Sequence, residues 1–462
     1  MQEPRQGTKQ GSTADLAVGC GAGFSGDRVD AALPVVRTLV QRGGPAALIF
    51  EMLAERTLAT AQLARRADPG KGYEPLLDLE LRPVLADCLR HGITIVGNFG
   101  AANPQGAARR IVALAEELGL PPPRVAVVSG DDLSVPAQRK LLREALGGGF
   151  DEKRFVCANA YLGAFEIAAA IKQGAQVVVT GRVADPSIFM APMMFEFGWD
   201  PLDHARLGAG NGLGHLIECG AQVTGGYFSD PGFKDAPDPW NLAFPIVEVE
   251  SDGSAVLTKV AGTGGAVNLM TVKEQLLYEV HDPANYLTPD VVVDFTTARL
   301  EQVGLDRVRV TGIGGKPRTP TLKVSIGCTE GFIGEDMFFY AGPGALRRAQ
   351  LAKKILEERF KIVKLDAEEV RIDFLGINAI HGAMSPKNGP EPYEVAVRVA
   401  ARTKTREEAF KVGREVDGMA VSGVGMTGKR VPHQDRTREI IGVWSSLVPR
   451  EKITPTLSFY ES

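Results

Sequence analysis

The segment Asp15–Gly26, DLAVGCGAGFSG, is an apolar run closed by three glycines spaced Gly21-x-Gly23-x-x-Gly26, with a helical pattern from about Arg28 to Gln41 behind it. Strand, tight turn and helix in that order are the opening unit of a parallel α/β sheet. Four more short apolar runs follow, Ala46–Glu51, Ile93–Asn98, Val125–Ser129 and Gln176–Thr180. Each is apolar nearly throughout, as strands covered on both faces are, and helical patterns separate them. The fold class expected is therefore α/β, with an N-terminal doubly wound, mainly parallel (Rossmann-like) sheet. After about Pro245 the pattern changes to hairpins and amphipathic helices. Ile246–Val249 and Ala255–Val260 flank the turn Asp252-Gly253, and Thr321–Gly327, Val370–Leu375 and Tyr393–Ala400 read as strands. Ala345–Phe360 and Thr405–Met419 read as helices. The expected organisation is a disordered tail at 1–13, a Rossmann-like domain at 14–245 holding the main ligand site, and an α+β domain at 246–462.

Composition narrows the classes of partner. The 462 residues carry a net charge of -4, which leaves no electrostatic footprint for nucleic acid or an anionic membrane surface. No run approaches the length of a membrane span, and residues 1–13 lack the apolar core of a signal peptide. The five cysteines, Cys20, Cys88, Cys157, Cys219 and Cys328, form no CxxC pair and read as reduced thiols of a cytoplasmic protein. The six histidines show no HxH or HExxH spacing, so no metal ligand set is assigned. A GxSxG elbow and a Walker loop are both missing.

In an open α/β sheet, ligands bind outside the carboxyl ends of the strands, so five loops compete for one site. The first holds Gly21, Gly23, Gly26 and Asp27. With Glu51 at the end of the next strand it fits a dinucleotide fingerprint, yet Asp27 is also an ordinary cap for the same amides. A structural turn and a non-nucleotide ligand remain open beside that reading. Asn98, Gly100 and Asn103 form a second strand-to-helix turn with Pro104 at the first helical position, either an anion cradle or a well-capped helix. Gly130 precedes Asp131 and Asp132, adjacent carboxyls able to divide acid and base roles or to cap the next helix. Gly181, Arg182 and Asp185 place a guanidinium and a carboxylate past the fifth strand, to hold a substrate carboxylate or to pair with each other. Asn159 precedes a helix ending at Gly174. Gly208–Asp238 reads as a long Gly-rich functional loop, from which Thr224, Gly225 and Gly226 join the ligand-binding set. His215, three residues before Glu218, either faces a cleft or is packed. Gly262–Gly265 and Ser422–Arg430 read as mobile Gly-rich loops.

Long blocks in one order carry a family resemblance: GCGAGFSGDR, FEMLAERTLATAQLARR, NFGAANP, VVSGDD, NAYLGAFEI, VVVTGRVADPSIFMAP, HLIECGAQVTGGYFSDPGFKD and TVKEQLLYEVHDPANYLTPDV. From about Ala14 onward the chain resembles the acyclic terpene utilisation (AtuA) family. The resemblance implies a catabolic role near branched carboxylic acids and their CoA thioesters. Longer members add a small ferredoxin-like C-terminal domain, which the resemblance places outside this chain, as a separate small subunit if one is needed. The leading expectation is a lyase or hydratase acting on a branched or poly-carboxylic acid or its CoA thioester. Glu51, Asp131, Asp132 and Asp185 would be the acid/base groups and Arg182 the carboxylate anchor. The alternatives are an NAD(P)-linked oxidoreductase using the Gly-rich turn and a non-catalytic subunit of an acyl-CoA-processing complex. No cofactor is assigned beyond that alternative, and a homo-oligomer is expected.

Overall fold

The computed structural model describes residues 16–147, 151–386, 389–429 and 436–461. The expected tail at 1–13, Arg430 and His433 lie outside the described residues. The chain divides into two units, the first from Met1–Asp151, Val156–Gly327 and Val443–Ser462, the second from Glu152–Phe155 and Cys328–Gly442.

Among the described residues of the first unit, strands β1 (Leu16–Ala22), β2 (Ala46–Phe50), β3 (Thr94–Gly97), β4 (Val125–Ser129), β5 (Phe155–Ala160, from Val156 onward), β6 (Val177–Thr180), β7 (Pro245–Val249) and β8 (Ala255–Lys259) alternate with helices. These are α1 (Ala32–Arg42), α2 (Glu55–Ala67), α3 (Leu77–Leu81), α4 (Leu85–His91), α5 (Pro104–Glu117), α6 (Arg139–Leu146), α7 (Phe165–Lys172), α8 (Asp185–Phe197) and α9 (His204–Ile217). The five expected parallel strands are all present. They lie in the order β1-β2-β3-β6-β4 within a ten-stranded sheet, every neighbouring pair among them parallel. All of β1, β2, β3 and β6 is buried, as a strand covered on both faces must be.

The chain steps in one direction from β1 through β2 and β3 to β4, so right-handed crossovers set α1, α4 and α5 on one face. The return from β4 through β6 toward β7 sets α7, α8 and α9 on the other. This order is not that of a Rossmann sheet, where the order reverses beside the first strand. Here the second neighbour of β1 is the antiparallel β7, followed by β8, Arg307–Thr311 and Arg299–Gly304. The expected boundary near 245 thus falls inside the first unit. The first helix also starts at Ala32 and not at Arg28, because Asp27–Ala31 is spent on a turn.

Two sequence expectations fail for local reasons. Asn159 sits in β5, a strand that the helical pattern of the following residues masks, and α7 starts only at Phe165. The first ten residues of the expected Gly-rich loop 208–238 are helical. Gly208, Gly210, Gly212 and Gly214 all lie in α9, whose burial is complete from Leu207 to Ile217. A β-carbon on Gly208 would sit 2.2 Å from the Gly314 carbonyl oxygen, and one on Gly214 would sit 2.5 Å from that of Pro186. These glycines thin the helix so that neighbouring backbone can close on it. Alanine is favoured over glycine in a helix by about 1 kcal/mol, but overpacking costs about 1–3 kcal/mol. Gly214→Ala should therefore destabilise the protein by about 1–2 kcal/mol, while Gly418→Ala, in the helix Arg406–Ser422 with open space around it, should stabilise by up to about 1 kcal/mol. Urea unfolding of the two variants checks the pair.

The second unit takes the strand Thr321–Ala341 from Cys328 onward, helix Ala345–Ile362, strands Ala367–Leu375 and Glu394–Thr403, helix Arg406–Ser422, strand Gly428–Lys429, and the strand Thr437–Pro449 as far as Gly442. The second strand pairs with the third and the third with the first, both antiparallel, while the last strands border the first. This is the split β-α-β-β-α-β arrangement of ferredoxin-like folds. Residues of this chain build that topology themselves. Its core sets Ala345, Ala349, Ala352, Leu356 and Phe360 of one helix against Val395, Val397 and Val399 of the central strand, periods of about 3.6 and 2 meeting.

Candidate active site

The carboxyl ends of β2, β3, β4, β5 and β6 are tied together by one buried polar network. Asn98, after β3, donates from Nδ2 to Glu51 Oε1 at 2.7 Å and accepts the Met52 amide at 2.6 Å. Glu51 Oε1 also accepts the Leu53 amide at 3.1 Å. Asp131, after β4, accepts from the Arg182 amide at 2.9 Å and from Asn159 Nδ2 at 2.8 Å. A β-carbon on Gly181 would meet the Asp131 carboxylate at 2.7 Å, so glycine there lets the two strand ends close.

Arg182 is the centre of the network and is 1% exposed. Its Nη2 donates to Asp185 Oδ1 at 2.8 Å, its Nη1 donates to the Leu53 carbonyl, and its guanidinium carbon lies 4.2 Å from the centroid of the Tyr161 ring. Both Nη atoms are bonded within the protein while the buried Nε has no hydrogen-bond partner among the described residues, and the structure contains the expected mutual Arg182–Asp185 pair. Burial pulls the guanidinium pKa down, but Asp185, Tyr161, Glu51 and Glu55 outweigh it and hold it up.

The surrounding carboxyls divide into two kinds. Burial pushes Glu51 and Glu218 well above the ordinary carboxylate range, and the neighbouring Asp185 adds to both. Asp185 is itself pushed up by burial and held back first by Arg182. Glu55 goes the other way: burial would raise it, but the Tyr161 hydroxyl, Arg182 and Lys323 bring it down to about 2. Tyr161 donates to Glu55, and Lys323 stands 3.1 Å from the same Oε1. Burial thus favours the protonated form of Glu51 and Glu218, while the Tyr161 hydroxyl, Arg182 and Lys323 keep Glu55 ionised. Groups whose environments drive their ionisation apart are what acid/base chemistry needs.

Asp131 is pushed up by burial to about 6 from an ordinary 3.8. A raised folded-state value means that the native protein holds this proton more tightly than the unfolded chain does. Stability from this carboxyl is greatest below about pH 3.8 and is lost as pH rises through about 6, a change of about 3 kcal/mol. Asn has no such titration. The stability of Asp131→Asn relative to the native protein should therefore rise by up to about 3 kcal/mol between about pH 4 and pH 7, read by urea unfolding across that range.

A cavity of about 360 Å³ opens at the end of β2, lined by Ser25, Met52, Leu53, Arg56, Thr57, Thr60, Ala61, Ala64, Tyr73, Glu74, Pro75 and Ala101. Leu53 is shared with the network, because Arg182 holds its carbonyl and Glu51 its amide.

The other expected site residues have structural partners. Asp27 accepts the Gly23 amide at 2.9 Å and the Arg28 amide at 2.7 Å, so its carboxylate fills the turn a pyrophosphate would need. A β-carbon on Gly23 would lie 2.5 Å from the backbone of Cys219 and Gly220, and one on Gly21 would strike the Phe50 ring. Gly26 takes a left-handed φ of 94° that the turn requires. Asn103 caps α5 through Gly106 and donates to the Pro69 and Lys71 carbonyls. Gly100 packs its backbone on the Thr180 carbonyl, and Gly130 packs on Thr454. Asp132 turns outward, to the Ser134 amide at 2.8 Å and toward Arg65 at 3.9 Å. Thr224 bonds the Ala221 and Ala243 carbonyls, Gly225 adopts a φ of 118°, and Gly226 is exposed. His215 is buried with Nδ1 3.2 Å from Glu218 Oε1. The contact has the geometry of an ion pair, but burial lowers the imidazole to about 4 and pushes Glu218 upward, so burial disfavours the charged form of each.

Sequence reasoning missed Glu55, Arg56, Tyr161 and Lys323. Glu55 and Arg56 follow Glu51 within one helical turn of the strand end and were open to discovery there. Lys323 is 268 residues from Glu55, and no local pattern announces it. Among the described residues no three His, Cys, Asp or Glu side chains converge as a metal site. Among the described residues no helix is long and apolar enough to cross a membrane. No curated protein sequence matches the chain. The family model described as acyclic terpene utilisation family protein AtuA matches residues 16–459, from the first residue of β1 to the last of the strand Thr456–Phe459. With that match covering nearly all of its length, the chain belongs to the AtuA family of acyclic terpene utilisation.

Proposed function

We propose that the chain is an enzyme of the lyase or hydratase type, moving a proton at the carbon beside a carboxylate or thioester carbonyl of a branched acid. Membership of the family suggests involvement in acyclic terpene utilisation. The observation that carries the reaction class is the divided ionisation around Arg182: burial pushes Glu51 toward its protonated form, while Tyr161 and two cations keep Glu55 ionised. A protonated acid donates to a developing enolate oxygen or a departing hydroxyl, and a dry site strengthens that interaction. Glu51 immediately precedes Met52 and Leu53, which line the cavity. The nicotinamide reading finds no support, since Asp27 occupies the Gly23 amide and β1 has no parallel neighbour on its far side.

The test is hydrogen exchange in deuterated water. Branched acids and their CoA thioesters are incubated with the protein, and loss of the α-proton signal or of water is followed by NMR. The native protein should catalyse one of these, and Glu51→Gln should not. Exchange unchanged in that variant would remove Glu51 from the chemistry.

A further inference from the structure

The cavity at the end of β2 carries a recognition device that the buried acids do not explain. Arg56 lines it and is exposed, and among the described residues its guanidinium has no acidic partner or hydrogen-bond acceptor. Arg182, by contrast, is buried, with both Nη atoms bonded to Asp185 and Leu53. Arg56 stands in the first turn of α2, a 13-residue helix whose amino end favours a negative charge. The Ser25 and Tyr73 hydroxyls at the same cavity also have no hydrogen-bond partner among the described residues. The rest of the lining sets the apolar or small Met52, Leu53, Ala61, Ala64, Pro75 and Ala101 beside Thr57, Thr60 and the buried Glu74, whose Oε1 accepts the Leu76 amide. The volume of about 360 Å³ is at the low end of the range in which proteins bind small molecules, enough for an acyl chain and too little for a whole CoA.

We propose that this cavity is the seat of an apolar-tailed monocarboxylate, with Arg56 binding the carboxylate through its planar fork and the alanine-lined wall receiving the chain. The assignment rests on the reading of the protein as an enzyme of carboxylic acids and names which residue recognises the acid. It moves the anchoring role from Arg182 to Arg56. Ala64, one face of α2 onward from Arg56, limits how long a tail fits.

The probe is octanoate, titrated calorimetrically into the full chain beside octanamide and inorganic phosphate. Native protein should bind octanoate at one site. Arg56→Ala should weaken octanoate by about 10- to 100-fold, the usual loss of a hydrogen bond to a charged group, while leaving octanamide binding unaltered. Arg56→Lys should recover part of the loss, and Ala64→Leu should shift preference from octanoate to butanoate. Unliganded melting temperatures should be unchanged in Arg56→Ala, because the side chain has no partner to lose. Native affinity in Arg56→Ala, or phosphate binding as tightly as octanoate, would overturn the proposal. Failure of the two ideas is separable: Glu51→Gln that still binds octanoate in a protein without turnover removes only the proton-transfer reading. Normal octanoate binding by Arg56→Ala, with turnover abolished in Glu51→Gln, removes only the subsite.

Discussion

Arg182→Ala is expected to cost about 3–5 kcal/mol of folding stability, the range seen when one partner is taken from a buried ion pair. The size follows from what is stranded. Asp185 loses its 2.8 Å partner, the Leu53 carbonyl loses its donor, and the face of Tyr161 loses a cation. Glu51, Glu55 and Glu218 lose the positive charge that offsets their burial. Lysine would restore the charge without the fork, so Arg182→Lys should recover only part of the loss. Arg182→Met combined with Asp185→Asn should be less damaging than Arg182→Ala alone, because no carboxylate is then left unpaired. The measurement is the urea midpoint at constant slope. A cost under about 1 kcal/mol for Arg182→Ala would mean that the network does not hold the strand ends together.

Glu51→Gln is expected to lower turnover by about 10²- to 10⁴-fold, the contribution of a positioned general acid, without loss of stability. Gln keeps the oxygen that accepts from the Leu53 amide and from Asn98, so the loop entering α2 stays in place. The pH dependence distinguishes a lost proton donor from a lost support. Burial raises the folded-state pKa of Glu51 well above its ordinary 4.5, so the native protein loses stability as pH rises above the ordinary carboxylate range. Gln does not titrate, and the stability of the variant relative to the native protein should grow with pH. A variant that keeps turnover, or one whose stability relative to the native protein falls with rising pH, would sink the assignment.

How far the sequence carries depends on the range of the interaction concerned. Strands β1, β2, β3, β4 and β6 are legible because a strand covered on both faces must be apolar nearly throughout, a property of each segment alone. The convergence of Glu51, Asn98, Asp131, Arg182 and Asp185 at the strand ends follows from the same reasoning, since parallel strands bring their carboxyl ends to one edge. β5 was hidden because Phe155–Ala160 runs without a break into a stretch of helical spacing. The helix α9 read as a loop because four glycines lower its intrinsic propensity, and only the close approach of Gly314 and Pro186 shows why they are there.

The Gly-rich turn at Gly21–Gly26 divides the two kinds of knowledge. Its glycines and its place after a buried strand are properties of the sequence, and they establish a parallel sheet with a tight first turn. Whether that turn holds a nucleotide depends on partners far away. The antiparallel β7 beside β1 comes from residues 245–249, and the backbone against Gly23 from residues 219–220. The division of roles between Arg182, locked among buried carboxyls, and Arg56, left free at a cavity, is likewise tertiary. A guanidinium does not change its chemistry with sequence context, but its availability depends on which acids the fold brings within reach and how much water the fold removes from around it.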